Sequence, residues 1–246
     1  MQIIALYRHP LKSHGREALQ TVTLHAGQSM PFDRNWAVAH DASKADGSTW
    51  APCQNFSRGS KAPALMAINA VLDEQSGGLT LSHPDRPDLT FDPNHEADIF
   101  LKWVKPLVPQ DRALPDRILR LSGRGFTDSD YASISLCNTA SHAAVSEQAG
   151  ADLSPLRWRG NIWFEGEAPW QEMDWIGKEI ALGAAKLSIR EPIQRCLATT
   201  ANPETGARDV DTLGILNSTW DHQNFGIYAE VIKGGPVALG DSLTVH

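Results

Sequence analysis

Cysteine is scarce in this 246-residue chain, with Cys53, Cys137 and Cys196 the complete set. They form no paired set and no Cys-x-x-Cys spacing, which excludes a disulfide framework and a thiolate-bound zinc or iron–sulfur centre. The nine histidines are scattered. His-Glu-x-x-His, Gly-x-Ser-x-Gly and Gly-x-x-x-x-Gly-Lys-Ser/Thr are all missing, so zinc-protease, serine-hydrolase and phosphate-loop chemistries lack their signatures. Gly123-Arg124-Gly125 lacks the third glycine of a dinucleotide fingerprint. No apolar run approaches bilayer length, and residues 1–6 meet Arg8, His9 and Pro10 too early for a signal peptide. A cytoplasmic protein without a membrane span is expected. Base is the minority charge: 22 Lys and Arg face 29 Asp and Glu, for a net charge of -7. That balance argues against a nucleic-acid partner, because binding a phosphate backbone needs clustered cations. It leaves room for a small anionic ligand, which a few local cations can hold.

With 41% hydrophobic residues the chain can bury one large core or two smaller ones. Alternating and continuous apolar runs predict strands at 2–7, 19–25, 32–38, 62–72, 78–82, 117–121 and 179–189, the last split around Gly183. A hairpin over 225–232 and 237–245, turning at Gly234-Gly235, closes the chain. Helical spacing predicts 96–104, a short helix within 209–216, and 138–148 with Asn138 or Thr139 as N-cap and Gly150 past its end. The Pro- and Asp-rich stretch 83–95 reads as a loop, and the polar stretch 41–60 as a long loop able to cover a site. A proline-containing segment at 106–115 marks the domain boundary.

The most reactive-looking stretch is 189–206, where an alternating apolar run breaks at Pro192 and delivers Arg195 and Cys196 side by side. A guanidinium close to a thiol stabilises the thiolate, the form that acts as nucleophile or metal ligand. The ordinary alternative is a small buried hydrophobe, which is what most isolated cysteines are. Similar pairs of readings hold elsewhere. Lys12 and Ser13, in the breaker-rich loop after the first strand, suit an exposed anion-binding loop or a merely solvated one. Arg157 and Arg159 suit a phosphate or acidic neighbours. Arg34 alone reads as a surface ion pair, and Trp36 as core.

Arg195-Cys196-x-x-Thr199-x-x-x-Pro203-x-Thr205-Gly206 resembles the cysteine segment of the MOSC family, the domain named for the C-terminal part of molybdenum cofactor sulfurases. Further segments follow in family order. Residues 7–13 are similar to a Tyr-Pro-Val-Lys-Ser-like opening, with His9 inserted ahead of Pro10. Asp33-Arg34-x-Trp36 and Phe126-Thr127-Asp128 resemble two more elements. Arg159-Gly160-Asn161-Ile162 resembles Arg-Pro-Asn-Ile/Val with Gly160 in the place of proline, and Pro169-Trp170-x-Glu172-x-x-Trp175-x-Gly177 continues it. Phe225-Gly226-x-Tyr228 and Gly240-Asp241 resemble the closing elements.

The resemblance implies a mainly β fold with some α: an N-terminal β domain at 1–113 and a MOSC β-barrel-like domain at 114–246. It implies a molybdenum cofactor (molybdopterin) between the two, with Cys196 as metal ligand and catalytic residue. Lys12, Ser13 and Arg159 would hold the phosphate, and Arg34 and Asn161 would orient the pterin. Asp128, Arg195 and Thr199 complete the implied cofactor-binding set. The activity implied is reduction of small N-hydroxylated compounds such as amidoximes and hydroxylamines. No flavin or nicotinamide fingerprint is visible, so electrons would come from a separate flavoprotein or ferredoxin-type protein. The alternative is a carrier that passes on the molybdenum cofactor or its sulfur.

Overall fold

The computed structural model describes residues 1–121 and 124–246; Gly123 of the Gly-Arg-Gly stretch lies outside them. Alternation is the organising pattern of the larger core. Ile134 and Leu136, Ile180 and Leu182, Leu187 and Ile189, and Ile227, Ala229 and Val231 stand two apart on four strands and are all buried in one cluster. Their strands belong to an eight-stranded sheet in the order Leu243–Val245, Glu179–Leu182, Ala185–Gln194, Asn224–Lys233, Ile134–Asn138, Ile162–Phe164, Ile3–Arg8, Glu17–Leu19. Ile162–Phe164 runs parallel to Ile134–Asn138, and every other pairing is antiparallel. A parallel pair needs a crossover. Here helix α2 (Thr139–Ala149) starts it, with its N-terminus closed by the Asn138 side chain accepting from Ala140 N at 2.9 Å and Gly150 left-handed at its end. A separate ladder of Thr21–Leu24 with Gly235–Ala238 turns Val22, Leu24 and Val237 into the same core, which gives the barrel-like wrap. Truncating a central side chain such as Leu136 to alanine would cost about 2–5 kcal/mol.

The first half supplies a second core. Asn69–Leu72, Leu79–His83 and Arg86–Phe91 form an antiparallel sheet, and helix α1 (Ala97–Val104) packs Phe100 flat on Phe91 at 5.2 Å between ring centres. Trp36–His40 pairs with Pro115–Arg120 and is buried on both faces. Trp36 and Val38 enter the sheet–helix core, while Ala37 and Ala39 meet Phe56 and Phe126 on the other side. Phe56 therefore anchors the polar stretch 41–60, assisted by the Ser57 N to Val38 O hydrogen bond of 2.8 Å. Helix α3 (Thr212–Trp220), capped by Asp211, packs on α2 near the chain's end.

Four local expectations give way to tertiary context. The chain does not close as a hairpin: Asn224–Lys233 pairs with Ala185–Gln194, Gly235–Ala238 with Thr21–Leu24, and Leu243–Val245 with Glu179–Leu182. Residues 86–91 are a strand despite Pro87 and Asp88, which an edge strand tolerates. Pro192 does not end its strand; the ladder runs on to Gln194 and absorbs the missing N–H in a register shift. The strand expected from residue 32 begins only at Trp36, because Phe32 and Arg34 are left-handed.

Candidate functional site

A cavity of about 310 Å³ opens where the Cys196 turn faces the loops around Lys12, Arg34 and Arg58. Two broader surface clefts, of about 480 and 620 Å³, lack its chemistry. Lys12, Arg34, Arg58, Arg157, Arg159 and Arg195 line it, with Asp128 the single acidic residue among the lining groups. In a chain with more acid than base, six cations around one carboxylate are a local inversion of charge. Cys53 and Cys196 both line the cavity.

The floor is built by a loop that His9 zips together. His9 N donates to Asp33 Oδ1 at 2.7 Å, His9 O accepts from Arg34 N at 2.7 Å, and Asp33 holds the Arg34 guanidinium. The inserted His9 is therefore part of the frame. Burial, with Arg159 and Arg34 nearby, pushes its imidazole down to about 3, so it stays neutral. Burial alone would raise Asp33, but the Arg34 guanidinium and the His9 hydrogen bonds hold its carboxyl well below the usual range. Gly125 lets the next segment pass close beneath, since a Cβ there would lie 2.1 Å from Asp33 O.

Lys12 is buried, contrary to the exposed loop expected. It donates to Phe126 O at 2.7 Å and to Asp128 Oδ1 at 2.6 Å. The Asp128 side chain keeps 49% exposure because it faces the cavity. Burial there acts to raise its pKa, yet Lys12 and Arg34 bring it down, so it remains a carboxylate. Arg159 has the most unbalanced surroundings. Its Nη2 donates to Gly15 O at 3.1 Å, whereas Nη1 is buried without a partner in the protein. Burial, then the charges of Arg34 and Arg16, depress it to about 9. A buried guanidinium N–H without an acceptor is costly, and an anion in the cavity would supply one. Ser13, Arg34 and Arg159 are all left-handed, an uncommon state for non-glycine residues that concentrates at sites where geometry is imposed.

The opposite wall is the cysteine turn. Cys196 is exposed and free. Its carbonyl accepts from Thr199 N and Oγ1, both at 3.1 Å, and Thr199 Oγ1 lies 2.7 Å from Thr212 Oγ1. Arg157 ties down the same turn through Thr199 O at 2.9 Å and Asp209 at 3.3 Å. Arg195 points elsewhere: it donates to Trp158 O at 2.6 Å and Phe225 O at 2.8 Å, and its Nη2 lies 3.7 Å from Cys137 Sγ. Extended backbone at Cys196 sends neighbouring side chains to opposite sides, so adjacency in sequence does not put this guanidinium on this thiol.

Of the nine residues expected at the site, eight line the cavity and Asn161 does not. Asn161 is buried beneath it, its Oδ1 accepting from Ser135 N and Oγ and its Nδ2 donating to Tyr7 O. Arg58 and Tyr228 join the lining without having been singled out. Arg58 comes from the stretch expected to cover a site, and Tyr228 from a closing element. Burial, then Asp128, raises the Tyr228 phenol, which keeps it a proton donor. Among the described residues no group of three or more His, Cys, Asp or Glu could hold a metal ion, so a metal at Cys196 would have to bring donors of its own.

The fold and cavity define a β-rich protein with a cation-lined cavity beside a free thiol. The MOSC domain matches residues 124–244, and the MOSC N-terminal beta barrel domain matches residues 1–105. The chain belongs to the MOSC family, a family associated with the molybdenum cofactor. Among solved structures, the YUAD protein from Bacillus subtilis is similar in fold, with 13% identity, a TM-score of 0.50, and coverage of 100% of this chain and 94% of that one. YiiM from Geobacillus stearothermophilus aligns at 17% identity and a TM-score of 0.37, over 46% of this chain; the chain spans 53% of the YiiM structure. Among curated proteins no match is found.

Proposed function

We propose that this protein binds a molybdenum cofactor and reduces small N-hydroxylated compounds, amidoximes and hydroxylamines among them, with electrons from a separate flavoprotein or ferredoxin-type donor. The observation that carries the proposal is the unpartnered Arg159 Nη1 in a cation-lined cavity that also presents Cys196. The residues fit the group. Its phosphate suits Arg159 and the Ser13 hydroxyl, and a soft thiolate from Cys196 suits molybdenum that arrives with the pterin's sulfur donors. Lys12 fixes Asp128, and Arg34, held by Asp33 and lining the cavity, would orient the pterin. Asn161 acts from below, by orienting Ser135 and the Tyr7 backbone. When bound, the cofactor supplies the redox chemistry. The chain binds, orients and shields it, and the neutral Tyr228 hydroxyl is a proton donor within the cavity. The division at 113/114 and a cytoplasmic location belong to the same proposal; no helix among the described residues is long and apolar enough to cross a membrane.

The exposure of Cys196 also favours a second reading, a carrier that transfers cofactor or sulfur. One experiment separates the two. Molybdenum-loaded protein given a reduced viologen dye should reduce an amidoxime, and nicotinamide cofactor alone should not support turnover. Absence of dye-driven reduction across amidoximes, hydroxylamines and N-oxides, together with cofactor transfer to an apo-molybdoenzyme, would favour the carrier.

A further inference from the structure

Next to the large cavity lies a smaller one of about 200 Å³, and Arg58 lines both. The small cavity is walled by the end of the strand Trp36–His40, by residues 54–62 and by residues 108–113. Three cations line it, Arg58, Lys61 and Arg112, and no acidic residue does. Their charges are largely uncompensated among the described residues. Arg58 Nη1 reaches Cys53 Sγ at 3.4 Å, Arg112 meets only the exposed Asp111 at 3.7 Å, and Lys61 forms no ion pair. Two buried polar atoms on this wall have no partner in the protein. Ser57, 7% exposed, leaves its Oγ unbonded, and His40 leaves Nδ1 unbonded while Nε2 faces Gln54 O at 2.8 Å.

Buried hydroxyls and imidazole nitrogens are nearly always hydrogen-bonded, so unpaired ones beside three unopposed cations indicate a missing acceptor-rich ligand. We propose that this cavity is a binding site for a single phosphate group, separate from the cofactor cavity and independent of the function proposed above. Arg58, Lys61 and Arg112 neutralise the phosphate's charge, and rotation about χ1 turns the buried Ser57 hydroxyl towards one phosphate oxygen. With Nε2–H given to Gln54 O, His40 Nδ1 is an acceptor in the neutral ring and a donor in the charged one. Phosphate carries both O–H and acceptor oxygens near neutral pH, so it satisfies either state. The volume lies below the roughly 300–1,000 Å³ of pockets for drug-sized ligands, which fits a lone phosphate or the head of a small monoester.

The test is calorimetric titration of the full cofactor-free chain with inorganic phosphate at ionic strength held constant with sodium chloride. Two classes of site are expected. Lys61→Met and Arg112→Met, both at exposed positions where the fold tolerates change, should each weaken one class roughly tenfold and leave the other intact. Arg159→Met should do the reverse, weakening only the cofactor-cavity class. Tighter binding of glycerol 3-phosphate than of inorganic phosphate at the Lys61-dependent class identifies an organic monoester as the ligand, and equal or weaker binding identifies the free ion. Phosphate binding unaffected by both Lys61→Met and Arg112→Met, or no saturable binding in an Arg159→Met background, overturns the proposal.

Discussion

Cys137 and Cys196 are both free, yet their surroundings are opposites. Cys137 sits fully buried in the strand Ile134–Asn138, between the Gly160 and Gly226 backbones. Burial pushes its thiol up to about 11, with Arg195 pulling the other way. Cys196 is exposed in a cavity rich in cations. The guanidinium next to Cys196 in sequence is spent on the buried cysteine, where it also stacks over Trp158 and Phe225 at 5.7 and 5.6 Å. Arg195 therefore builds the wall that carries the turn, and the other cations that line the cavity with Cys196 come from elsewhere in the sequence. Which groups a side chain faces is decided by the fold, and neighbours along the chain are a poor guide to it.

Exchanging each thiol for a hydroxyl sharpens that contrast most strongly. Cys196→Ser should lower dye-driven reduction on the order of a hundredfold, since loss of groups that merely support a metal ligand already costs 10–100-fold. Its unfolding free energy should stay within about 0.5 kcal/mol of the parent's, as expected at an exposed position. Cys137→Ser should show the reverse: activity per folded molecule retained, and stability reduced by about 1–3 kcal/mol, because a more polar hydroxyl replaces the thiol at a fully buried position reached only distantly by Arg195 Nη2. Paired urea titrations and rate measurements distinguish these patterns, and full activity in Cys196→Ser removes Cys196 from the site.

A smaller effect is expected behind the wall. A Cβ on Gly160 would stand 2.5 Å from Cys137 Sγ, which leaves no room for the proline of the motif this segment resembles. Gly160→Ala should destabilise by about 1–3 kcal/mol, as overpacking does. The double variant with Cys137→Ala should recover part of the loss, so a double-mutant cycle should give a clearly non-zero coupling. Additive losses would mean that the thiol does not hold the glycine in place.

A further effect, spread over several titrating groups, is a slope in pH. His9 is depressed to about 3 and His14 to about 4, in each case chiefly by burial, against 6.5 for an unperturbed imidazole. Between those values the unfolded chain binds more protons than the folded one, so stability rises with pH and falls on acidification from about 6.5 towards 4. The lowered carboxyls of Asp33 and Asp128 add to the loss below the usual carboxylate range. His14→Asn should flatten the urea midpoint between pH 6.5 and 4; an unchanged slope would show that the imidazole there is charged.

Much of this architecture was legible because it rests on local rules. The Asn138 cap and Gly150 stop of α2 follow from backbone chemistry, and the period-two runs at 179–189 follow from one-sided burial. Cys196, Thr199, Arg159 and Arg34 were legible as motif residues, and the cavity gathers them. What escaped depends on distant partners. The final strands pair across the barrel, so no local signal separates them from a hairpin. Lys12 looked solvated until Phe126 and Asp128, more than a hundred residues away, enclosed it. Arg58 sits in polar, irregular sequence, and only the Phe56 anchor turns that stretch into a wall. Asn161 matched its motif, yet its amide faces Ser135 and Tyr7, a choice of direction that spacing does not encode.

The central claim is that the unpartnered charge of Arg159 is reserved for an anionic cofactor beside Cys196. It is tested most directly by measuring molybdenum and pterin per folded chain after purification from a host that makes the cofactor, in the parent protein and in Arg159→Met. The account predicts stoichiometric cofactor in the parent and occupancy reduced roughly tenfold at limiting cofactor in the variant. It also predicts that cofactor-free Arg159→Met is at least as stable as the cofactor-free parent, because the substitution removes a poorly compensated charge. Parent protein without molybdenum or pterin, or a variant that retains both in full, would contradict it.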